Sequence, residues 1–270
     1  MLRDITIGQF YPVESPIHRL DPRVKIVAVF VYLISLFVFS SFWGYLVVTL
    51  FLAAVIALSR VPFSYIIKGL KPILILLFFT AFFNIFMTKG QILFQWNFIT
   101  ITWEGLRKAL FMAMRLIYLI IGSSMLTYTT TPNQLTDGLE TLFKPLEKIH
   151  VPVHDFAMMM SLALRFIPIL LDEANRIINA QSSRGADFEE GNVFKRMKTM
   201  ISILVPLLVS ATRRAYDLAM AMEARCYHGG AGRTKMKPLK YRPVDRGAYG
   251  IVFGYFGLVI VVTHVLPIFW

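Results

Sequence analysis

Two arginines flanked by small residues are the strongest candidates for functional side chains in this sequence. They lie in the triplets Ser183-Arg184-Gly185 and Ala224-Arg225-Cys226, each near the end of a long helical segment. An arginine in the last turn of a helix is common, because the cation meets the negative end of the helix dipole. Small neighbours also leave the guanidinium free to enter a partner's groove, where its five donors bind carboxylates or backbone carbonyls. The repeated pattern favours docking arginines, with dipole capping as the alternative.

Other residues with metal-binding or catalytic potential are poorly placed for it. His150 and His154 have the i, i+4 spacing of helical metal ligands, but Pro152 breaks the helix that this spacing requires. Glu189-Glu190 resembles the glutamate pair of certain intramembrane proteases, but those enzymes need an arginine where this chain has Phe194. A solvated acidic loop is the better interpretation. We expect no catalytic residue, no metal site and no cofactor in this chain.

Two further arginines lie in apolar surroundings, where an ionisable group is a functional candidate by default. Arg115 is interpreted as facing a polar interior or reaching toward lipid headgroups. Arg165 is interpreted as structural, with Asp172 or Glu173 as possible partners two helical turns away. The small residues Gly122-Ser123-Ser124 favour close packing between helices of the same chain.

A nucleotide-binding loop is also missing from the sequence. The stretch Gly229–Lys235 is rich in glycine and basic residues, but it lacks the Gly-Lys-Ser/Thr order of a phosphate-binding loop, and no strand precedes it. This chain is therefore not expected to hydrolyse ATP.

The composition places all these residues in a membrane protein. Of 270 residues, 56% are hydrophobic and 16% are charged, whereas roughly a quarter are charged in soluble domains. The mean hydropathy is +0.61. The net charge of +12 is assigned to loops on the cytoplasmic side of the membrane rather than to nucleic-acid binding. The single cysteine, Cys226, excludes an intrachain disulfide.

Five apolar runs are long enough to approach the thickness of the hydrocarbon core. Basic segments precede the first run and follow the second, so both segments are predicted to be cytoplasmic, and Arg115 interrupts the fourth run. We predict an all-α polytopic fold with about five transmembrane helices, at Ile26–Trp43, Gly44–Ser59, Pro72–Thr88, Ala109–Thr131 and Ile251–Trp270.

Between the fourth and fifth runs lies a charged segment that is too polar for hydrocarbon. It divides the chain into residues 1–131 with four spans, a cytoplasmic domain at 132–250, and a last span at 251–270. Two long helices are predicted within that domain, at Asp155–Ser183 and Val193–Cys226, the second kinked near Pro206. Gly185 is expected to end the first helix in the left-handed conformation. Cys226 lacks this freedom, so Gly229-Gly230 is expected to supply the corresponding turn.

These motifs resemble a known family. The stretches Thr129–Pro132, Gly138–Glu140, Arg165–Pro168 and Ala180–Gly185, with the two arginine triplets, make the chain similar to the transmembrane T component of energy-coupling factor transporters. These transporters are ABC-type importers of vitamins and transition-metal ions. The family pattern is a pair of Ala-Arg-Gly triplets. Here Ser183 replaces the first alanine and Cys226 the second glycine, and both exchanges keep room for the arginine.

The resemblance implies a non-catalytic coupling role in the cell membrane. Arg184 and Arg225 would each enter a groove of one of two ABC-type ATPase subunits, which would bind ATP and Mg²⁺. The membrane part would hold a substrate-capture protein, the S component, for uptake of vitamins or other micronutrients. The alternatives are a membrane-embedded lipid-modifying or proteolytic enzyme, and a self-sufficient secondary carrier.

Overall fold

The fold is helical, as predicted. The computed structural model describes residues 10–39, 41–88, 90–96, 99–186, 193–230, 236 and 238–265. The α-helices are α1 (Pro22–Val38), α2 (Phe42–Ser59), α3 (Phe63–Leu70), α4 (Leu74–Met87), α5 (Trp103–Thr129), α6 (Pro132–Phe143), α7 (Val153–Ser183), α8 (Val193–Glu223) and α9 (Pro243–Val265). Short 3₁₀ turns at Lys71–Ile73 and Lys144–Ile149 precede α4 and α7.

Four helices in the described part of the chain are long and apolar enough to span a membrane: α2, α5, α7 and α9. The pair α3 and α4 is bent by 58° and would count as a fifth, broken span. The helix α1 has 17 residues and is too short for the same test. The helix α7 was predicted to lie in the cytoplasmic domain, but its length and hydropathy are sufficient for a membrane span. The predicted number of spans agrees with the structure, but their assignment to helices differs at α1 and α7.

The connection between α4 and α5 contains an antiparallel hairpin that was not predicted. Its strands are β1 (Ile92–Trp96) and β2 (Ile99–Thr102), with Ile92 opposite Thr102 and an irregularity between Ile92 and Phe94. At its end, the Thr102 hydroxyl accepts a hydrogen bond from the Gly105 amide and caps the N-terminus of α5.

The chain separates into two compact units. Among the residues that the structure describes, one unit lies within 139–238, and the other lies within 10–138 together with 239–265. The functional division at residues 131/132 and 250/251 stays a prediction.

The unit that contains α1–α5 and α9 has an aromatic core. The helix α1 packs against α5 and α9, and α2 also contacts α9. The Tyr255 ring stacks on Phe51 at 4.1 Å, and its hydroxyl lies 2.8 Å from the Ser35 hydroxyl. The ring of Tyr32 occupies the space beside Gly122, where an added Cβ would lie 2.7 Å from Cδ1 of the ring and closer still to its Cε1. The predicted packing role of this small-residue segment is therefore confirmed at Gly122.

A buried polar cluster joins the starts of α1 and α9. The Asp245 carboxylate, 2% exposed, accepts hydrogen bonds from the backbone amides of Asp21 and Arg242 at 2.9 and 2.7 Å. The Asp21 carboxylate accepts two hydrogen bonds from the Arg23 guanidinium, at 2.9 and 2.8 Å, which itself lies over the Tyr241 ring. Every buried charge in this cluster is thus hydrogen-bonded, as a low-dielectric site requires.

Lys25 ties the same region to the end of α5. Its ammonium donates to the backbone carbonyls of His18 and Thr129 at 3.1 and 2.8 Å. Burial lowers the pKa of Lys25 to about 8, although the charges of Asp21 and Asp245 oppose this shift. Burial also lowers the pKa of His18, and the nearby Lys25 charge adds to that effect.

Candidate docking site at the ends of the two long helices

The helix α7 ends in a left-handed cap at its triplet. It begins at Val153, two residues before the predicted start, and its last residue is Ser183, as predicted. Gly185 has φ +83°, a conformation that glycine adopts without steric cost. The Ala186 amide donates to the Gln181 carbonyl and the Gly185 amide to the Ser182 carbonyl, both at 3.0 Å. These two bonds form a Schellman motif, which satisfies carbonyls left free at a helix end.

The helix α8 ends in the same motif, although its residues are different. Its last residue is Glu223, three residues before the predicted end, so the second triplet lies in the turn after the helix. The Tyr227 amide donates to the Met222 carbonyl at 3.1 Å and the Cys226 amide to the Glu223 carbonyl at 2.8 Å. Cys226 itself has φ +55°. The expectation that Gly229-Gly230 replaces this cap was wrong, because closing the hydrogen-bonded ring requires the left-handed residue directly after Arg225.

Both arginines therefore occupy the same position in two equivalent caps. The Arg184 amide donates to the Gln181 carbonyl at 3.0 Å, and the Arg225 amide donates to the Met222 carbonyl at 3.1 Å. All six residues of the two triplets are exposed. Within the described residues, neither guanidinium forms a hydrogen bond or an ion pair. The acidic connection at 187–192, which includes Glu189-Glu190, lies outside the described residues. The two arginines are thus exposed on matching hydrogen-bonded turns.

The two helices contact one another and are joined by an ion pair. The Arg214 guanidinium on α8 donates to the Glu173 carboxylate on α7 at 3.2 Å. Arg165 is exposed and has no ion pair among the described residues. The suggestion that Glu173 pairs with Arg165 was therefore wrong: its partner comes from the neighbouring helix. An apolar groove runs between the helices, lined by Met159, Leu162, Phe166, Leu170, Ala211, Arg214, Ala215 and Leu218.

A long apolar stripe lies exposed on α8. From Met197 to Val209 its residues recur at spacings of one or three, and Tyr216 and Met220 follow after further steps of seven and four, as on one face of an amphipathic helix. Each is at least half exposed: Met197, Met200, Ile201, Leu204, Val205, Leu208, Val209, Tyr216 and Met220. An exposed apolar surface of this length is typical of a site that contacts lipid or another protein.

The remaining sequence candidates have local structural roles. The Arg115 guanidinium donates to the Phe39 carbonyl at 3.1 Å, just past the end of α1, and so caps that helix. His150 and His154 are not brought together as ligands: His150 has φ +62° at the end of a 3₁₀ turn, and His154 contacts Glu140 instead. No group of three or more metal-ligating side chains occurs in the described part of the chain.

Two arrangements were missed by sequence reasoning. The hydrogen bond of Lys25 to Thr129 at the end of α5 and the contact of His154 with Glu140 both join residues of different helices. A lysine directly before an apolar run, or a histidine at the start of a helix, carries no local sequence pattern that predicts such partners.

Comparison with known proteins identifies the family. The sequence matches the cobalt transport protein family, CbiQ, over residues 13–236. It is 52% identical to the energy-coupling factor transporter transmembrane protein EcfT of Ruminiclostridium cellulolyticum, over 98% of this chain and 99% of that protein. The chain belongs to this family. The EcfT proteins of Clostridium kluyveri and Bacillus subtilis are 52% and 45% identical, over 100% and 91% of this chain and 99% and 93% of their own lengths.

Membership in the EcfT family confirms the resemblance. The chain is a membrane-embedded transmembrane component of an energy-coupling factor transporter. The matched region includes both arginine caps and the whole of α7 and α8.

Proposed function

We propose that this chain couples two ABC-type ATPase subunits to a membrane-embedded substrate-capture protein, the S component. Arg184 and Arg225 each enter a groove of one ATPase subunit. ATP-driven movement of the two subunits then acts on α7 and α8, which transmit it to the membrane part for uptake of vitamins or other micronutrients.

The observation that carries this proposal is the equivalence of the two caps. A single exposed arginine at a helix end has an adequate explanation in the helix dipole. Two arginines held in the same hydrogen-bonded turn, 41 positions apart and both unpaired within the described residues, match a pair of related partner subunits better. A turn with a fixed backbone loses little entropy when its arginine binds, which favours docking.

The exposed stripe on α8 supports a second contact on the same element. Arg225 follows the C-terminal end of α8, and the apolar stripe covers most of that helix. A rigid helix that contacts a motor subunit at one end and apolar material along its side is suited to transmit movement. We assign this stripe to the membrane-embedded capture protein.

In this function, binding and hydrolysis of ATP belong to the partner ATPase subunits and not to this chain. This chain is non-catalytic and holds no cofactor, while ATP and Mg²⁺ bind to the partner ATPase subunits. The complex lies in the cell membrane, with residues 132–250 on the cytoplasmic side, where the ATPase subunits have access to ATP.

Charge reversal at the two caps tests the docking role. Arg184→Glu and Arg225→Glu place a carboxylate where the groove is expected to bind a guanidinium. Each change is expected to weaken co-purification with the ATPase subunits in mild detergent, and the double change to abolish it. The matched controls are Arg176→Glu on α7 and Arg213→Glu on α8, which reverse exposed charges away from the caps.

The controls are expected to retain both the ATPase subunits and ATP-dependent uptake in reconstituted vesicles. Full assembly and uptake by the Arg184→Glu/Arg225→Glu protein would refute the docking role. Equal losses in the control variants would show a general charge effect and refute it as well.

A further inference from the structure

The loop that follows Arg225 packs against His154, near the start of α7, within the same compact unit. The His154 Nδ1–H near the start of α7 donates to the Glu140 carboxylate on α6 at 3.0 Å. The backbone of Gly230, five residues after Arg225, lies against the same imidazole. These three residues belong to one compact unit, so helix α6, the start of α7 and the chain after α8 meet at one side chain.

Glycine is required at position 230 because the His154 ring lies so close to its Cα, and not because of its backbone conformation. A Cβ added at Gly230 would lie 2.7 Å from Cγ of His154 and closer still to its Cδ2. Real Cβ atoms do not approach a ring this closely, so any side chain at position 230 must displace either the ring or the loop. The imidazole is only partly exposed, and its Nε2 is buried without a hydrogen-bond partner among the described residues.

The hydrogen bond to Glu140 determines where the ring lies. With the proton of Nδ1 directed at the carboxylate, the imidazole is held in one orientation, and its Cγ and Cδ2 atoms lie nearest Gly230. Rotation of the ring would break this hydrogen bond, so the contact with Glu140 favours a single ring orientation. The ring is therefore a fixed surface on which the loop rests.

We propose that His154, oriented by Glu140, is a positioning residue that holds the second docking loop, residues 224–230, in the geometry that presents Arg225. The cap at Cys226 orders the loop at its start, and the His154–Gly230 contact orders it at its end. The docking consequence rests on the function proposed above. The contact itself does not.

The native Cys226 permits a test on the isolated chain. It is the single cysteine of the sequence, it is exposed, and it lies next to Arg225. A nitroxide attached to Cys226 of the full chain in detergent reports loop mobility by electron paramagnetic resonance. His154→Ala is expected to shorten the rotational correlation time of the label, and His154→Asn, which keeps a donor near Glu140, is expected to restore it. His150→Asn is the control and leaves the spectrum unchanged.

A double-mutant cycle separates this contact from general loosening. Gly230→Ala is expected to mobilise the label in the native background and to add nothing in the His154→Ala background, because the ring that its Cβ would meet is absent. Additive effects, or an unchanged spectrum in His154→Ala, would overturn the proposal.

Docking is then measured in two backgrounds. In Arg184→Glu protein, where binding depends on Arg225, His154→Ala is expected to lower ATPase-subunit co-purification further. In Arg225→Glu protein it is expected to have no effect. An equal loss in both backgrounds, or a mobile loop without any loss, would overturn the positioning role. A different result would separate the two proposals. If His154→Ala mobilises the loop but the two arginines prove unnecessary for assembly, the proposed function is refuted and the His154–Gly230 contact stands.

Discussion

Glu173 on α7 and Arg214 on α8 form a 3.2 Å ion pair, and each lies eleven residues before the arginine of its own triplet. The pair therefore joins the two helices at equivalent positions, about three turns from each cap. Its side chains are 26% and 40% exposed, so its contribution to stability is small. The pair is also expected to fix the relative positions of Arg184 and Arg225, which follow the ends of these two helices.

Charge exchange at this pair tests that role. Glu173→Arg places two cations together and is expected to reduce uptake per ATP hydrolysed in reconstituted vesicles, while the ATPase subunits still bind. The double change Glu173→Arg/Arg214→Glu restores opposite charges and is expected to recover most of the coupling. If Glu173→Arg leaves the uptake per ATP hydrolysed normal, the ion pair does not fix the relative positions of α7 and α8.

Removing glycine from the first cap and introducing glycine into the second are expected to have opposite effects on stability. Gly185→Ala forces a Cβ into the left-handed conformation and is expected to cost about 1 kcal/mol at the end of α7. Cys226→Gly removes the same strain at the end of α8 and is expected to be neutral or stabilising by up to about 1 kcal/mol.

Amide hydrogen exchange measures both effects locally, at Ala186 and Tyr227, whose amides close the two caps. Faster exchange at Ala186 in Gly185→Ala, with unchanged or slower exchange at Tyr227 in Cys226→Gly, is the expected result. Faster exchange at Tyr227 in Cys226→Gly would contradict the assigned cap.

Asp245→Asn is expected to loosen the joint between α1 and α9. The carboxylate accepts two backbone hydrogen bonds in a buried site, and an amide turns one acceptor into a donor that faces an N–H group. The loss is about 2 kcal/mol, as for hydrogen bonds to charged groups. A lower melting temperature in detergent measures it. The exposed Asp217→Asn on α8 is the control and should melt like the native chain.

Lys25 is expected to make stability depend on pH in the alkaline range. Its pKa is about 8 in the folded protein and 10.5 ordinarily, so the unfolded chain binds more protons between these values. The folded state therefore gains stability as pH rises from about 8 to about 10.5. The melting temperature of the native chain, compared with Lys25→Met at each pH, is expected to rise across this range. A constant difference between the two proteins would show that Lys25 titrates normally.

The membrane class and the two long helices α7 and α8 followed from the sequence alone. Composition and hydropathy are averages over many residues, so they do not depend on the exact packing of any one of them. The end of α7 was predicted correctly because Gly185 enters the left-handed region without steric cost, a property of the residue itself. The predicted docking arginines lie exposed at both caps.

Tertiary structure decided the features that depend on the hydrogen-bonded turn after α8 or on partners distant in sequence. Cys226 adopts the left-handed conformation because the hydrogen bonds at the end of α8 require it, although its own preference opposes it. Glu173 pairs with a residue 41 positions away, and Lys25 bonds to a carbonyl 104 positions away. A sequence pattern describes neighbours along one element, whereas these partners become neighbours only when separate helices pack together.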